Sequence, residues 1–388
     1  MCEAIELTRR LVQIESTNPG AGESGVEVFV RQYLSDLDVD MIIDEVLPGR
    51  RNIAATIPAQ RDDKGPMLVL ACHMDTVVAG KDWTRDPFGG ELEDGRLYGR
   101  GACDMKSGLA CALSVFHKTA KAAEEGNLRL RHPLRLLCTV DEEADMRGVE
   151  HAIEKGLVGK DDWVLDLEPT DGEIQMAHKG RFWLKVEVHG ITAHASKPEQ
   201  GADAVAAAAE LITQIRVAFD RLPVHDEMGP STVTFGQIEG GYQPYVVPDE
   251  CRIWMDFRLS PPTDNKKVLR IVEEAIADAG RVVPGITVDY QVTGDRPYIE
   301  KNESSVLLKS LKRAAEKVTK EACRVCTFPG YTDTAVIAGK LGNQECMSYG
   351  PGSLKHAHKP DEYVETADIR RCAAVLEALV EEMLIDSR

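Results

Sequence analysis

Long apolar stretches are missing from this sequence. None reaches the roughly 18 residues that a membrane-spanning helix needs, so a helical membrane protein is excluded. A signal peptide is not expected either. The opening residues MCEAIELTRRLVQIES set Ile5, Leu7, Leu11, Val12 and Ile14 between charges, which predicts an amphipathic helix. Cysteines are present, ten of them, but no four are spaced to hold zinc. The close pair Cys323 and Cys326 has no second pair to complete a knuckle, so reduced core thiols and a cytoplasmic location are expected. Internal repeats and low-complexity segments are also lacking. An excess of positive charge is absent too. With 46 basic against 64 acidic residues the formal charge is −18, which repels nucleic acid and anionic membranes and favours cationic solutes.

What is there divides by periodicity. From residue 67 to 180, the apolar runs MLVLAC, LRLLCTV and WVLDL alternate with helical stretches at 107–123 and 149–155. Buried runs separated by helices predict an α/β sheet with a largely parallel centre. Between 181 and 294 the pattern changes. Phe182, Leu184, Val186 and Val188 alternate with polar or amphipathic neighbours, a helix spans 203–222, and strands follow at 232–238 and 251–259. A helix opening at Asp264 and closing before Gly280, then a strand at 286–292, complete a β-α-β-β-α-β order. That is the order of a ferredoxin-like module, inserted into the first domain. The α/β pattern resumes after Asp295, so one domain comprises 1–180 and 295–388 and the other 181–294.

Four strand-like runs of the outer domain lead to residues able to bind metal or a proton. MLVLACHMDT reaches His73 and Asp75, LRLLCTVDEE reaches Glu142 and Glu143, WVLDLEPT reaches Glu168, and ECMSYGPGSLKHAHKPDE reaches His358. Ligands of open α/β sheets bind beyond the carboxyl ends of strands, so residues distant in sequence can converge there. Asp104, in the glycine-flanked GRGACDMKSG, is a fifth candidate ligand. Singly, each has an ordinary structural explanation: a hydrogen-bonded histidine, a helix-capping aspartate, an acid ending a strand. Together, two histidines and several carboxylates suit zinc with an open position for water. A cation would also make the three consecutive acids Asp141, Glu142 and Glu143 tolerable. Neighbouring strand residues point to opposite sides, so Glu142 and Glu143 can do different work.

The segments ACHMDTV, GRGACDMKSG, VDEEADMRG, DLEPT and GPGSLKHAHKPDEYVET occur in order, and the sequence resembles the di-zinc aminoacylase and carboxypeptidase family. Acetylornithine deacetylase and succinyl-diaminopimelate desuccinylase belong to it. The resemblance implies a catalytic α/β domain interrupted by a lid that dimerises, and a small N-acyl amino acid or short peptide as substrate. It implies two Zn2+ per chain, with Co2+ or Mn2+ able to substitute: His73 and Glu168 on one ion, Glu143 and His358 on the other, Asp104 bridging. Asp75 would orient the His73 imidazole. Glu142 would be the general base acting on zinc-held hydroxide. His194, in GITAHASKP, would stabilise the oxyanion in the partner's site, and Arg258, in RIWMDFRL, would bind the substrate carboxylate. Thr332 is a further substrate-binding candidate. Thr234 and Tyr245 stand where many relatives have asparagine, which leaves the acyl or amino-acid preference open. The motifs lie nearest to acetylornithine deacetylase, with the desuccinylase, a dipeptidase or a non-catalytic metal-binding scaffold as alternatives. The HAH at 356–358 does not open a (β/α)8 barrel, since only some thirty residues follow it. GRGACDMKSG lacks the third glycine of a dinucleotide loop.

Overall fold

The structure is a computed structural model, and it describes residues 2–60, 65–328 and 330–385. Two compact units emerge. The first contains Met1–Met176, Lys301–Phe328 and Thr332–Arg388; the second contains Ala177–Glu300, with Gly330 and Tyr331 counted with it.

The first unit is built on an eight-stranded sheet. Its centre consists of four neighbouring parallel strands in the order Leu134–Thr139, Leu68–His73, Trp163–Pro169 and Cys346–Gly350. All six residues of Leu68–His73 and all seven of Trp163–Pro169 are buried. Helices cover such strands on both faces, which is why they read as unbroken apolar runs. Antiparallel strands extend the sheet on either side, including Arg50–Ile57 next to Leu134–Thr139 and Ile174–His178 next to Cys346–Gly350. The mixed α/β class with a mostly parallel centre is therefore observed. Helix Ser107–Glu124 packs unusually close: a Cβ on Gly108 would lie 2.1 Å from the carbonyl oxygen of Leu167. Only glycine permits that approach, and it brings the loop before the helix against the strand carrying Glu168.

The second unit is a four-stranded antiparallel sheet in the order Thr232–Gly240, Glu250–Leu259, Gly180–His189, Thr287–Arg296. Helices Ala204–Phe219 and Asn265–Val282 cover one face, and the alternating residues Phe182, Leu184, Val186 and Val188 form its core with Ile253, Met255 and Phe257. Asp203 and Asp264 cap the helices through their carboxylates. Two helix ends differ from expectation. The first stops at Phe219, not 222. The second passes through Gly280 to Val282, and ends where the C-cap Val283 (φ −121°, ψ 85°) leaves the helical region ahead of Pro284. Among the described residues no helix is long and apolar enough to cross a membrane, and all ten cysteines are free.

Candidate metal centre

The four central strands are parallel, so their carboxyl ends lie side by side. His73 closes its strand, Glu142 and Glu143 follow Leu134–Thr139, Glu168 sits at the end of Trp163–Pro169, and His358 lies eight residues beyond Cys346–Gly350. Asp104 enters from the turn Ala102–Lys106 that leads into helix Ser107–Glu124.

Asp104 holds the two histidines apart. Its Oδ1 is 3.2 Å from Nε2 of His73 and its Oδ2 is 3.3 Å from Nε2 of His358. On the His73 side, Glu168 Oε1 lies 3.6 Å from the same Nε2; on the other, Glu143 Oε1 lies 3.0 Å from His358 Nε2. Ligand atoms of His73, Asp104 and Glu143 fall within 4.8 Å of one another, as do those of His73, Glu142 and Glu168. Two imidazole nitrogens and several carboxylates around one bridging carboxylate are a donor set suited to a pair of zinc-like cations. Nδ1 of His73 is engaged by a carbonyl, so Nε2 is the nitrogen available to a metal.

The charges show the same fit. Burial pushes Glu142 well above the usual carboxylate range, and the negative charges of Glu143, Asp333 and Asp104 push it further. Burial likewise raises Glu168, with Asp104 adding to the effect. Asp104 is held low against its own burial by its hydrogen bonds to His358 and His73. Those to Asp104 and Glu143 raise His358 to about 10. So dense a set of buried acids demands positive charge.

Several residues stand differently from expectation. The Asp75 carboxylate does not hydrogen-bond the His73 imidazole: the backbone carbonyl of Asp75 does, at 2.9 Å, while the nearer carboxylate oxygen is 3.7 Å away. The carboxylate instead accepts the backbone N–H groups of Glu142 (3.1 Å) and Glu143 (3.2 Å), with Asn18 completing it at 2.9 Å. Asp141, the first of the three acids, is outside the donor set. Arg147 binds it at 2.6 and 3.0 Å, Arg50 at 3.2 Å and Asn18 at 3.0 Å. Thr332 is 1% exposed, its hydroxyl 2.7 Å from that of Thr334, so it offers no free substrate contact. His356 pairs with Tyr363 at 3.1 Å. Sequence reading missed Asn18, Arg50 and Glu362. Only Glu362 lay inside a quoted motif, and nothing local marks any of them.

His194, Arg258, Thr234 and Tyr245 belong to the second unit. His194 is exposed, and its Nδ1 accepts the backbone N–H of Ser196 at 3.1 Å, which leaves a neutral imidazole's hydrogen on Nε2. The Tyr245 carbonyl accepts from Ala195 beside it. Arg258 is half-buried and forks onto Asp256 with contacts of 3.0, 3.3 and 3.0 Å. Thr234 is the cross-strand neighbour of Asp256.

Comparison with known proteins settles the family. A match to Peptidase family M20/M25/M40 spans residues 69–382. The chain belongs to this family. It is accordingly a metal-dependent hydrolase of the acylase and peptidase kind, a family that typically binds two metal ions and acts on small acyl amino acids or peptides. It is 29% identical to a probable succinyl-diaminopimelate desuccinylase of Staphylococcus aureus, over 94% of this chain and 93% of that one. An acetylornithine deacetylase of Myxococcus xanthus is also 29% identical, over 80% and 78%. Among solved structures, aminopeptidase PepT of Bacillus cereus shares the fold at TM-score 0.78 and 23% identity, covering 98% of both chains. The YXEP protein of Bacillus subtilis, described as a dinuclear metal binding peptidase, does so at 0.74 and 15%, covering 97% and 96%.

Proposed function

We propose that this chain removes an acyl group from the α-amine of an amino acid, with acetylornithine as the favoured substrate. The observation that carries the reading is Asp104, each of whose carboxylate oxygens faces a different histidine while Glu142 sits in the same cluster. His73 and Glu168 would hold one zinc, Glu143 and His358 the other, and Asp104 both, with Co2+ or Mn2+ able to replace them. The bound ions would polarise the amide carbonyl and acidify the attacking water. Glu142 takes the proton from that water and returns it to the leaving amine nitrogen. His194, with its hydrogen on Nε2, donates to the oxyanion in the partner subunit's site, and residues 181–294 form the lid and dimer contact. Arg258 binds the substrate carboxylate in exchange for Asp256.

A second reading, succinyl-diaminopimelate as substrate, is supported by the relatives that match 94% of the chain. A dipeptide substrate is the third. Side chains around the acyl and amino-acid groups decide among these. The test is a turnover panel of N-acetylornithine, N-succinyl-diaminopimelate, N-acetylmethionine and several dipeptides, with zinc-loaded and chelator-treated protein. N-acetylornithine is expected to turn over fastest, and chelation to abolish hydrolysis. A dipeptide cleaved well while N-acetylornithine is the poorest substrate would replace the deacylase reading. Full activity without metal would end all three.

A further inference from the structure

The loop that carries His358 also carries Glu362, and Glu362 does not face solvent. It is 1% exposed, in the first unit. Its Oε1 accepts two consecutive backbone N–H groups, of Cys103 at 2.9 Å and of Asp104 at 3.1 Å. Its Oε2 pairs with the guanidinium of Arg100, itself 2% exposed. Arg100 is held in turn, donating to the Ala79 carbonyl at 3.1 Å with its guanidinium 5.3 Å from the centre of the Trp83 ring. Two further contacts join the same segments: Gly99 N–H to the Glu362 carbonyl at 2.8 Å, and the Cys103 thiol to the Ser353 carbonyl at 3.2 Å.

We propose that Glu362 is a positioning residue for the metal centre: by holding the Cys103 and Asp104 amides on one carboxylate oxygen, it fixes the bridging Asp104 relative to His358 before any metal arrives. The inference rests on the metal-site reading above and deepens it. A buried ion pair with Arg100 would by itself need no such arrangement, since both oxygens could serve the guanidinium fork. One oxygen is given instead to the backbone of a ligand and its neighbour. Three residues separate Glu362 from His358, so the clamp ties one of the histidine loops to the bridging loop. An Asp104 turn free to rearrange would lose ordering entropy on binding each ion, and a preset turn does not.

The test is calorimetric titration of the metal-free full-length protein with zinc alone, alongside circular dichroism and urea unfolding. Wild type is expected to take two ions per chain. Glu362→Ala, folded by circular dichroism, is expected to bind at least one of them roughly tenfold more weakly, the scale of lost outer contacts to metal ligands. Glu362→Gln keeps an oxygen for both amides and loses only the Arg100 ion pair. It is expected to unfold at lower urea yet bind zinc nearly as tightly as wild type. A purely structural role would lower urea stability in both variants and leave zinc affinity unchanged, which overturns the proposal. Equal loss of affinity in both variants overturns it too, because the ion pair and not the amides would then matter. Should Glu362→Ala not fold, hydrogen exchange in metal-free wild type decides: slow exchange at Cys103 and Asp104 supports the clamp, and exchange at open-loop rates refutes it. A wild-type chain that binds no zinc overturns the metal-site reading, and this inference with it. That failure appears in wild type alone, whereas failure of the clamp appears in the comparison with the variants.

Discussion

Glu142 and Glu143 are adjacent in sequence and sit in different surroundings. Glu143 bonds His358, while Glu142 groups with His73 and Glu168. If Glu142 is the base, Glu142→Ala is expected to lower turnover by about 100-fold or more. Zinc content, read by atomic absorption, should stay at wild-type level, whereas loss of an ion would make Glu142 a ligand. The residue types of this cluster were legible because mostly apolar strands lead into a histidine or an acid at or beyond their carboxyl ends. What the strand ends did not reveal is the support behind them. The Asp141 carboxylate belongs to Arg50 and Arg147, residues 91 and 6 positions away, and the Asp75 carboxylate belongs to two amides rather than an imidazole. Such partners are chosen by tertiary packing, and a single sequence carries no local sign of them.

Element order was legible in the parallel strands of the first unit and across 181–294, but not at the antiparallel strands Asp40–Leu47, Arg50–Ile57 and Ile174–His178, and element ends were less legible still. Strand Ile174–His178 illustrates what burial does to an element's last residue. All five of its residues are buried, and burial lowers the pKa of His178 to about 4. The linkage has a definite sign. Between the ordinary histidine pKa of about 6.5 and the folded value, the unfolded chain binds a proton that the folded chain refuses, so stability is full above pH 6.5 and lost as pH falls towards 4. The loss approaches about 3 kcal/mol across that window. Urea unfolding at pH 7 and pH 5 is expected to show a smaller pH dependence in His178→Phe than in wild type. Equal slopes would mean that another group governs acid sensitivity. The same strand explains a boundary that sequence patterning set four residues late. The strand is continuous and buried from end to end, yet its last two residues, Ala177 and His178, are counted with the second unit.

At the scale of the whole molecule, the second unit presents strand Thr232–Gly240 at the edge of its sheet, nine residues long and largely exposed, with Ile238 53% accessible. A long edge with unpaired N–H and C=O groups is a place for another chain to join. The expected particle is a dimer of twice 42.7 kDa, read by light scattering, and Ile238→Lys is expected to weaken it. If His194 serves the partner's site, mixing inactive Glu142→Ala with His194→Ala subunits should restore part of the turnover. No recovery from an exchanging mixture would place His194 outside the chemistry.

The first unit is discontinuous, and this gives it an order of assembly in time. A chain made from its amino end exposes His73, Asp104, Glu142, Glu143 and Glu168 long before it contains His358 or Glu362. Until residues 346–350 exist, the strand Trp163–Pro169 lacks one parallel neighbour, and four acids share a single histidine. The metal centre is thus among the last things the growing polypeptide can finish. Its closing piece is the loop just before the final helix, Thr366–Leu384.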